Sequence, residues 1–190
     1  MSKKKERYAL LNVTDRTGIV EFAYALTELG YRLISSGGTA AALKQAELDV
    51  IALKDAVPAS DLLEGRLDML HPRILGGITA DRDNPGQMRD LERHGGLPVD
   101  LVAVNLYPLA SATSDNKDMA QAEVLDYVDL AGSALLRAAA RNFRHVVTLC
   151  DPADYQGIIG SLKQYDRVLP ERRQMLAAKA FHYTAYYDTT

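Results

Sequence analysis

Short, continuously apolar runs alternate with longer amphipathic ones along this chain. Residues 8–13, Tyr-Ala-Leu-Leu-Asn-Val, are bounded by polar positions on both sides, the pattern of a strand buried on both faces of a parallel sheet. The next segment sets Ile19, Phe22, Ala23, Leu26 and Leu29 on one helical stripe and stops at Gly30, which fits a C-cap. Residues 31–34 read as a second strand, the alanine-rich stretch from Ala40 as a second helix and residues 50–53 as a third strand. Strand, helix and strand within about thirty residues is the length of a right-handed βαβ unit. Residues 100–105 and 145–150 add a fourth and a fifth strand. Further helices are expected over residues 87–94, around 119–125, from Asp129, after Asp151-Pro152-Ala153-Asp154, and from Pro170, where Leu176, Ala180, Tyr183 and Tyr187 share a stripe. The rhythm predicts an α/β fold: a single open parallel five-stranded sheet with helices on both faces, in one domain over residues 1–190.

Ligands of such sheets collect at the carboxyl ends of the strands, where the connections diverge. Two polar turns fall there. Ser35-Ser36-Gly37-Gly38-Thr39 runs straight from the second strand into a helix, so backbone N–H groups, hydroxyls and the positive end of a helix dipole can meet at one point suited to a phosphate. Glycine lets the backbone approach an anion closely. The first strand ends in Thr14-Asp15-Arg16-Thr17-Gly18. Thr14, Arg16 and residues 36–39 converge on one anion if their strands are neighbours; the competing reading is two ordinary helix caps with a solvated arginine. Asn105 and Tyr107 also fall at a carboxyl end. Residues 64–82, with Arg66, Arg73 and His71-Pro72, show no clean period and read as a functional excursion or a solvated surface segment. Asp129 opens a helix that carries Arg137 and Arg141 on one face.

Composition narrows the choice. The chain of 190 residues carries a net charge of −3, so no global basic surface implies nucleic acid as a partner. Residues 1–6 read as a charged, disordered start. No apolar run approaches the roughly twenty residues of a membrane span, and the chain reads as cytoplasmic. The single cysteine, Cys150, closes an apolar run and fits a packed strand residue; four scattered histidines give no metal signature.

Taken together, the motifs resemble the cyclohydrolase domain of the bifunctional purine biosynthesis protein. They are Val13-Thr14-Asp15-Arg16-Thr17-Gly18, Ser36-Gly37-Gly38-Thr39, Gly65-Arg66 with Leu70-His71-Pro72, Asn105-Leu106-Tyr107-Pro108, Leu135-Leu136-Arg137-Ala138-Ala139-Ala140 and Ala178-Lys179-Ala180-Phe181. The resemblance covers residues 8–188 and implies a methylglyoxal-synthase-like fold. It implies a small-molecule purine ribotide as substrate, bearing formamido and carboxamide groups on an imidazole, which is closed and dehydrated to inosine monophosphate without metal or redox cofactor. By the same resemblance Thr14, Arg16, Ser36, Gly37, Gly38, Thr39 and Arg66 hold the phosphate, and Asn105 and Tyr107 face the imidazole. Asp129, in Asp129-Leu130-Ala131-Gly132, acts on the carboxamide with Gly132 beside it, and Arg141 supplies positive charge. A homodimer and a separate formyltransferase are the partners it suggests. The family carries lysine where this chain has Asp68, which reverses a charge. A non-catalytic nucleotide-binding relative and a triose-phosphate lyase of the same fold remain the alternatives.

Overall fold

In the computed structural model, five strands form one parallel sheet in the order β3-β2-β1-β4-β5: β1 (Arg7–Val13), β2 (Tyr31–Ser35), β3 (Val50–Ala52), β4 (Val99–Asn105) and β5 (Val147–Leu149). Residues 6–58, 63, 67–109, 124–125 and 127–189 are described. Residues 1–5 of the expected disordered start, Arg66 and most of the helix expected around residues 119–125 lie outside them.

The continuous apolar runs fold as strands because both sheet faces are covered. Ala9, Leu11 and Val13 of β1, with Leu33, Leu101 and Ala103, face one core. Helices α1 (Ile19–Glu28) and α2 (Gly37–Gln45) close it through Phe22, Leu26 and Leu43. Tyr8 and Leu10, with Ile34, Val102 and Val104, face the other core. After the short α3 (Leu53–Ala56), that face is covered by α4 (Pro72–Thr79) and by α6 (Leu130–Arg141), which follows α5 (Pro85–Arg93). Helix α7 (Tyr155–Tyr165) returns to the first face, where Tyr155 stacks on Phe22 with ring centroids 4.3 Å apart. Helix α8 (Pro170–Asp188) packs beside the edge strand β5, sending Leu176 into one core and Ala177 and Ala180 into the other. Among the described residues no helix is long and apolar enough to cross a membrane.

One element departs from the sequence pattern. The stretch without a clear period contains the 3₁₀ turn Asp68–Leu70 and the helix α4. His71 caps that helix, its Nδ1 accepting from Arg73 N–H at 3.1 Å, and Pro72 occupies the first turn. Gly76 and Gly77 obscure the helix in the sequence, and Gly77 is needed by the packing, because a Cβ there would collide with the Leu97 carbonyl oxygen. The third strand also stops at Ala52, with Leu53 opening α3 instead of ending β3.

Gly77→Ala is therefore expected to lower the unfolding free energy by about 2 kcal/mol in chemical denaturation, since a backbone carbonyl cannot step aside as a side chain can. Gly76→Ala, whose Cβ would touch only Leu91 Cδ1 at 3.4 Å, is expected to be neutral or slightly stabilising, as alanine favours the helix.

Candidate active site

The order β3-β2-β1-β4-β5 places β1 between β2 and β4, so successive crossovers diverge from its carboxyl end. That end is held from both sides. Thr39 Oγ1 accepts from Val13 N–H and donates to Val13 C=O, both at 2.9 Å. Asn105 Oδ1 accepts from the N–H groups of Thr14 and Asp15 at 2.7 and 2.9 Å, and its Nδ2 donates to Asp15 C=O at 2.9 Å. Asp15 Oδ1 in turn accepts from Thr17 N–H and Oγ1, which lowers its pKa.

The N-terminus of α2 opens beside this turn. Ser36 occupies the N-cap with extended backbone, but its hydroxyl donates to Asn12 Oδ1 at 2.9 Å and does not cap the helix. The first intrahelical bond runs from Ala40 N–H to Ser36 C=O, so the N–H groups of Gly37, Gly38 and Thr39 lack helical partners. Gly37 sits at φ 53°, the left-handed region that favours glycine. A Cβ on Gly38 would collide with Arg16 Nη2, so the guanidinium lies directly over the opening of the helix. An anion placed there meets N–H groups, the helix dipole and Arg16 together.

A cavity of about 410 Å³ lies against this opening, lined by Ser36, Gly37, Lys54, Asp68 and Met69 among others. A second, of about 680 Å³, is lined by Met69, Tyr107, Tyr127, Asp129, Leu130 and Ala131. Met69 lines both, so the two form neighbouring compartments along the carboxyl edge of the sheet. Tyr107 and Tyr127 stack there at 5.1 Å between centroids. Asp129 caps α6, its Oδ1 accepting from Gly132 N–H at 2.7 Å. Burial pushes its carboxyl pKa up, with the Gly132 hydrogen bond opposing, the environment of a proton acceptor whose pKa moves toward working pH. A Cβ on Gly132 would lie 2.6 Å from Asp129 Oδ2 and 2.8 Å from Leu106 Cδ2. Helix α8 fixes both segments: Tyr183 Oη accepts from Leu106 N–H at 2.9 Å and Tyr187 Oη from Asp129 N–H at 3.0 Å.

The expected site thus divides. Arg16, Ser36, Gly37 and Gly38 meet at the α2 opening, while Tyr107 and Asp129 line the second compartment, with Gly132 hydrogen-bonded to Asp129 behind it. Thr39 is 3% exposed and Asn105 6%; the hydroxyl of one and the amide of the other are engaged by the β1 terminus, so these side chains shape the turn and are not open to a phosphate or an imidazole as expected. Thr14 lines a different cavity, of about 720 Å³, with Asp151 and Lys179. Lys179 there is paired with Asp151 at 2.6 Å and Asp154 at 2.7 Å. Cys150 is buried in its wall, its thiol pushed up to about 11 by burial. Arg141 lies apart from Asp129 within the chain: α6 runs back from the carboxyl edge, so its last residue lies about 17 Å from its first at 1.5 Å per residue. Asn142 next to it donates to the carbonyls of Ile78 and Ala80 at the end of α4. Arg141 and Asp129 of one chain cannot address one bond.

Lys54, Met69, Tyr127, Tyr183 and Tyr187 were not singled out as site residues in the sequence; Lys54 had the clearest signal, following a strand at its carboxyl end. Among the described residues, Asp81, Asp83 and His145 form the one group whose ligand atoms lie close enough to hold a metal ion, at the amino end of β5 and away from these compartments.

The family model described as MGS-like domain matches residues 18–128, and that described as AICARFT/IMPCHase bienzyme matches residues 139–190. The bifunctional purine biosynthesis protein PurH of Persephonella marina is 43% identical over 96% of this chain, and that of Chloroflexus aurantiacus 48% identical over 96%. The chain spans 35% of the length of each. The crystal structure of ForH superposes with a TM-score of 0.85 at 33% identity, covering 97% of this chain and 96% of ForH.

Thr39→Val removes both hydrogen bonds to Val13 while keeping the shape of the side chain. It is expected to lower stability by about 1–3 kcal/mol in chemical denaturation, because the Val13 backbone groups are left buried without their partner; unchanged stability would show that the clip does not hold β1.

Proposed function

The chain belongs to the MGS-like domain family, and from that premise we propose that it is an IMP cyclohydrolase, closing 5-formamidoimidazole-4-carboxamide ribotide to inosine monophosphate. The observation that carries the reading is the pairing of unlike compartments across Met69. One offers free N–H groups and Arg16 to an anion; the other offers stacked tyrosines and a desolvated carboxylate to a planar ring bearing an amide. The likeness to PurH supports the same reading.

In this mechanism the phosphate rests on Gly37, Gly38 and Thr39 N–H beside Arg16, and the imidazole lies by Tyr107 and Tyr127. The reacting groups share one molecule, so holding the reactive rotamer does much of the work. Asp129 accepts a proton from the carboxamide nitrogen as that nitrogen bonds to the formyl carbon, and the formyl oxygen takes a proton to become a hydroxyl. The hydroxyl then leaves as water with the proton of the former formamido nitrogen, completing the aromatic ring. A formyl-transfer reaction must supply such a substrate, and a cytoplasmic setting fits the pathway.

Asp68 favours a second reading, a nucleotide-binding relative without turnover, because it puts a carboxylate in the phosphate compartment. Ultraviolet absorbance of purified protein with the ribotide, against an enzyme-free blank, separates the two: conversion is expected, and binding of inosine monophosphate without conversion would establish the second reading. Asp129→Asn is expected to lower kcat by about 100-fold or more, the usual range for loss of a positioned proton acceptor, while Asn still caps α6. Turnover is expected to fall on the acid side at a pH above the ordinary aspartate range, because the raised pKa protonates Asp129 earlier. The stability sign is opposite: a raised folded pKa gives stability below the unfolded value that is lost as pH rises through the folded one. Asp129→Asn is therefore expected not to lower the melting temperature at neutral pH. Undiminished turnover of that variant would overturn the assignment.

A further inference from the structure

We propose that Lys54 is a further cation of the phosphate compartment, binding the ligand's phosphate from the β3 side while Arg16 binds it from the β1 side. The inference rests on the anion reading of the α2 opening and extends it to a residue outside the motifs. Strand register gives the placement: Ser35 of β2 is paired with Ala52 of β3, so Lys54, two residues on, emerges beside Ser36 and Gly37. It lines the same cavity of about 410 Å³ as those residues and Asp68. Arg16 approaches the helix opening from β1, on the other side of β2. The free N–H groups of α2 thus lie against Arg16, which follows β1, and against the cavity that Lys54 of α3 helps to line.

Asp68 makes this arrangement consequential. A carboxylate in the wall of an anion site opposes a phosphate dianion, and a compact ammonium in the same wall offsets that repulsion. Among the described residues no ion pair holds Lys54, so its charge is available to the ligand. Asp68 acts here on the charge of the pocket.

Calorimetric titration of inosine monophosphate, with inorganic phosphate as competitor, tests the inference on the wild-type chain and on Lys54→Ala, Lys54→Arg and Asp68→Asn. Lys54→Ala is expected to weaken inosine monophosphate and phosphate alike by about tenfold, the loss of one partly screened charge contact. Lys54→Arg is expected to restore binding to within about threefold of wild type. Asp68→Asn is expected to tighten both ligands, and all melting temperatures should stay level. Wild-type binding of inosine monophosphate with an undiminished Lys54→Ala variant would overturn the role of Lys54 alone. Failure of the wild type to bind it would overturn the anion reading of the α2 opening, and Lys54 with it. Equal weakening in Lys54→Ala and Lys54→Arg would also overturn it, since charge would then not be the cause.

Discussion

The carboxyl end of β1 is where the ladder hydrogen bonds of the central strand run out, and the backbone groups there need partners. Side chains from both neighbours supply them. Thr39, arriving from α2, closes on Val13; Asn105, ending β4, closes on Thr14 and Asp15. Ser35 adds a donation to Leu11 C=O at 2.6 Å, and Ser36 one to Asn12 Oδ1. The crossovers that leave β1 and β2 are thereby tied to one strand end. A loop-built site gains from such ties the rigidity of the sheet beneath it.

The same ties explain why the α2 opening is free. Ser36 is a residue type that commonly caps helices, yet its hydroxyl is turned to Asn12 and leaves the first N–H groups of α2 without a side-chain acceptor. Thr39, the next candidate, is bound to Val13. Local capping is thus given up to fasten α2 to β1, and the positive end of the helix is left for something else to satisfy.

The strands were legible because both sheet faces are buried, which makes their runs continuous and apolar, and the glycine-rich turn before α2 was legible because φ at Gly37 favours glycine and Arg16 lies close against Gly38. Function within the turns was harder to read. A polar side chain at a strand end can serve a ligand or the backbone, and composition does not distinguish them; Asn105 and Thr39 serve the backbone. Helix periodicity told which face Arg141 occupies but not which edge of the sheet it reaches. Topology decides that: a helix leaving the carboxyl end of β4 ends twelve residues later at the amino end of β5. Helix α4 was hidden because two glycines interrupt its pattern, and one of them, Gly77, answers to the Leu97 backbone, a contact twenty residues away in the chain.

One carboxylate ties the second compartment to the start of α6. Asp129 caps α6 through Oδ1, and Tyr187 holds its backbone N–H, so neither the side chain nor its segment is free to rotate. Fixing a carboxylate through one oxygen gives the other a defined direction. Close packing at Gly132 and Leu106 sets that direction further, since no Cβ fits between them and Oδ2. Burial at the start of α6 also raises the Asp129 pKa, as the proposed proton-accepting role requires. A ligand held by its phosphate at the α2 opening would meet this acceptor at its other end, and the orientation a unimolecular ring closure needs would come from the unlike charges of the two compartments.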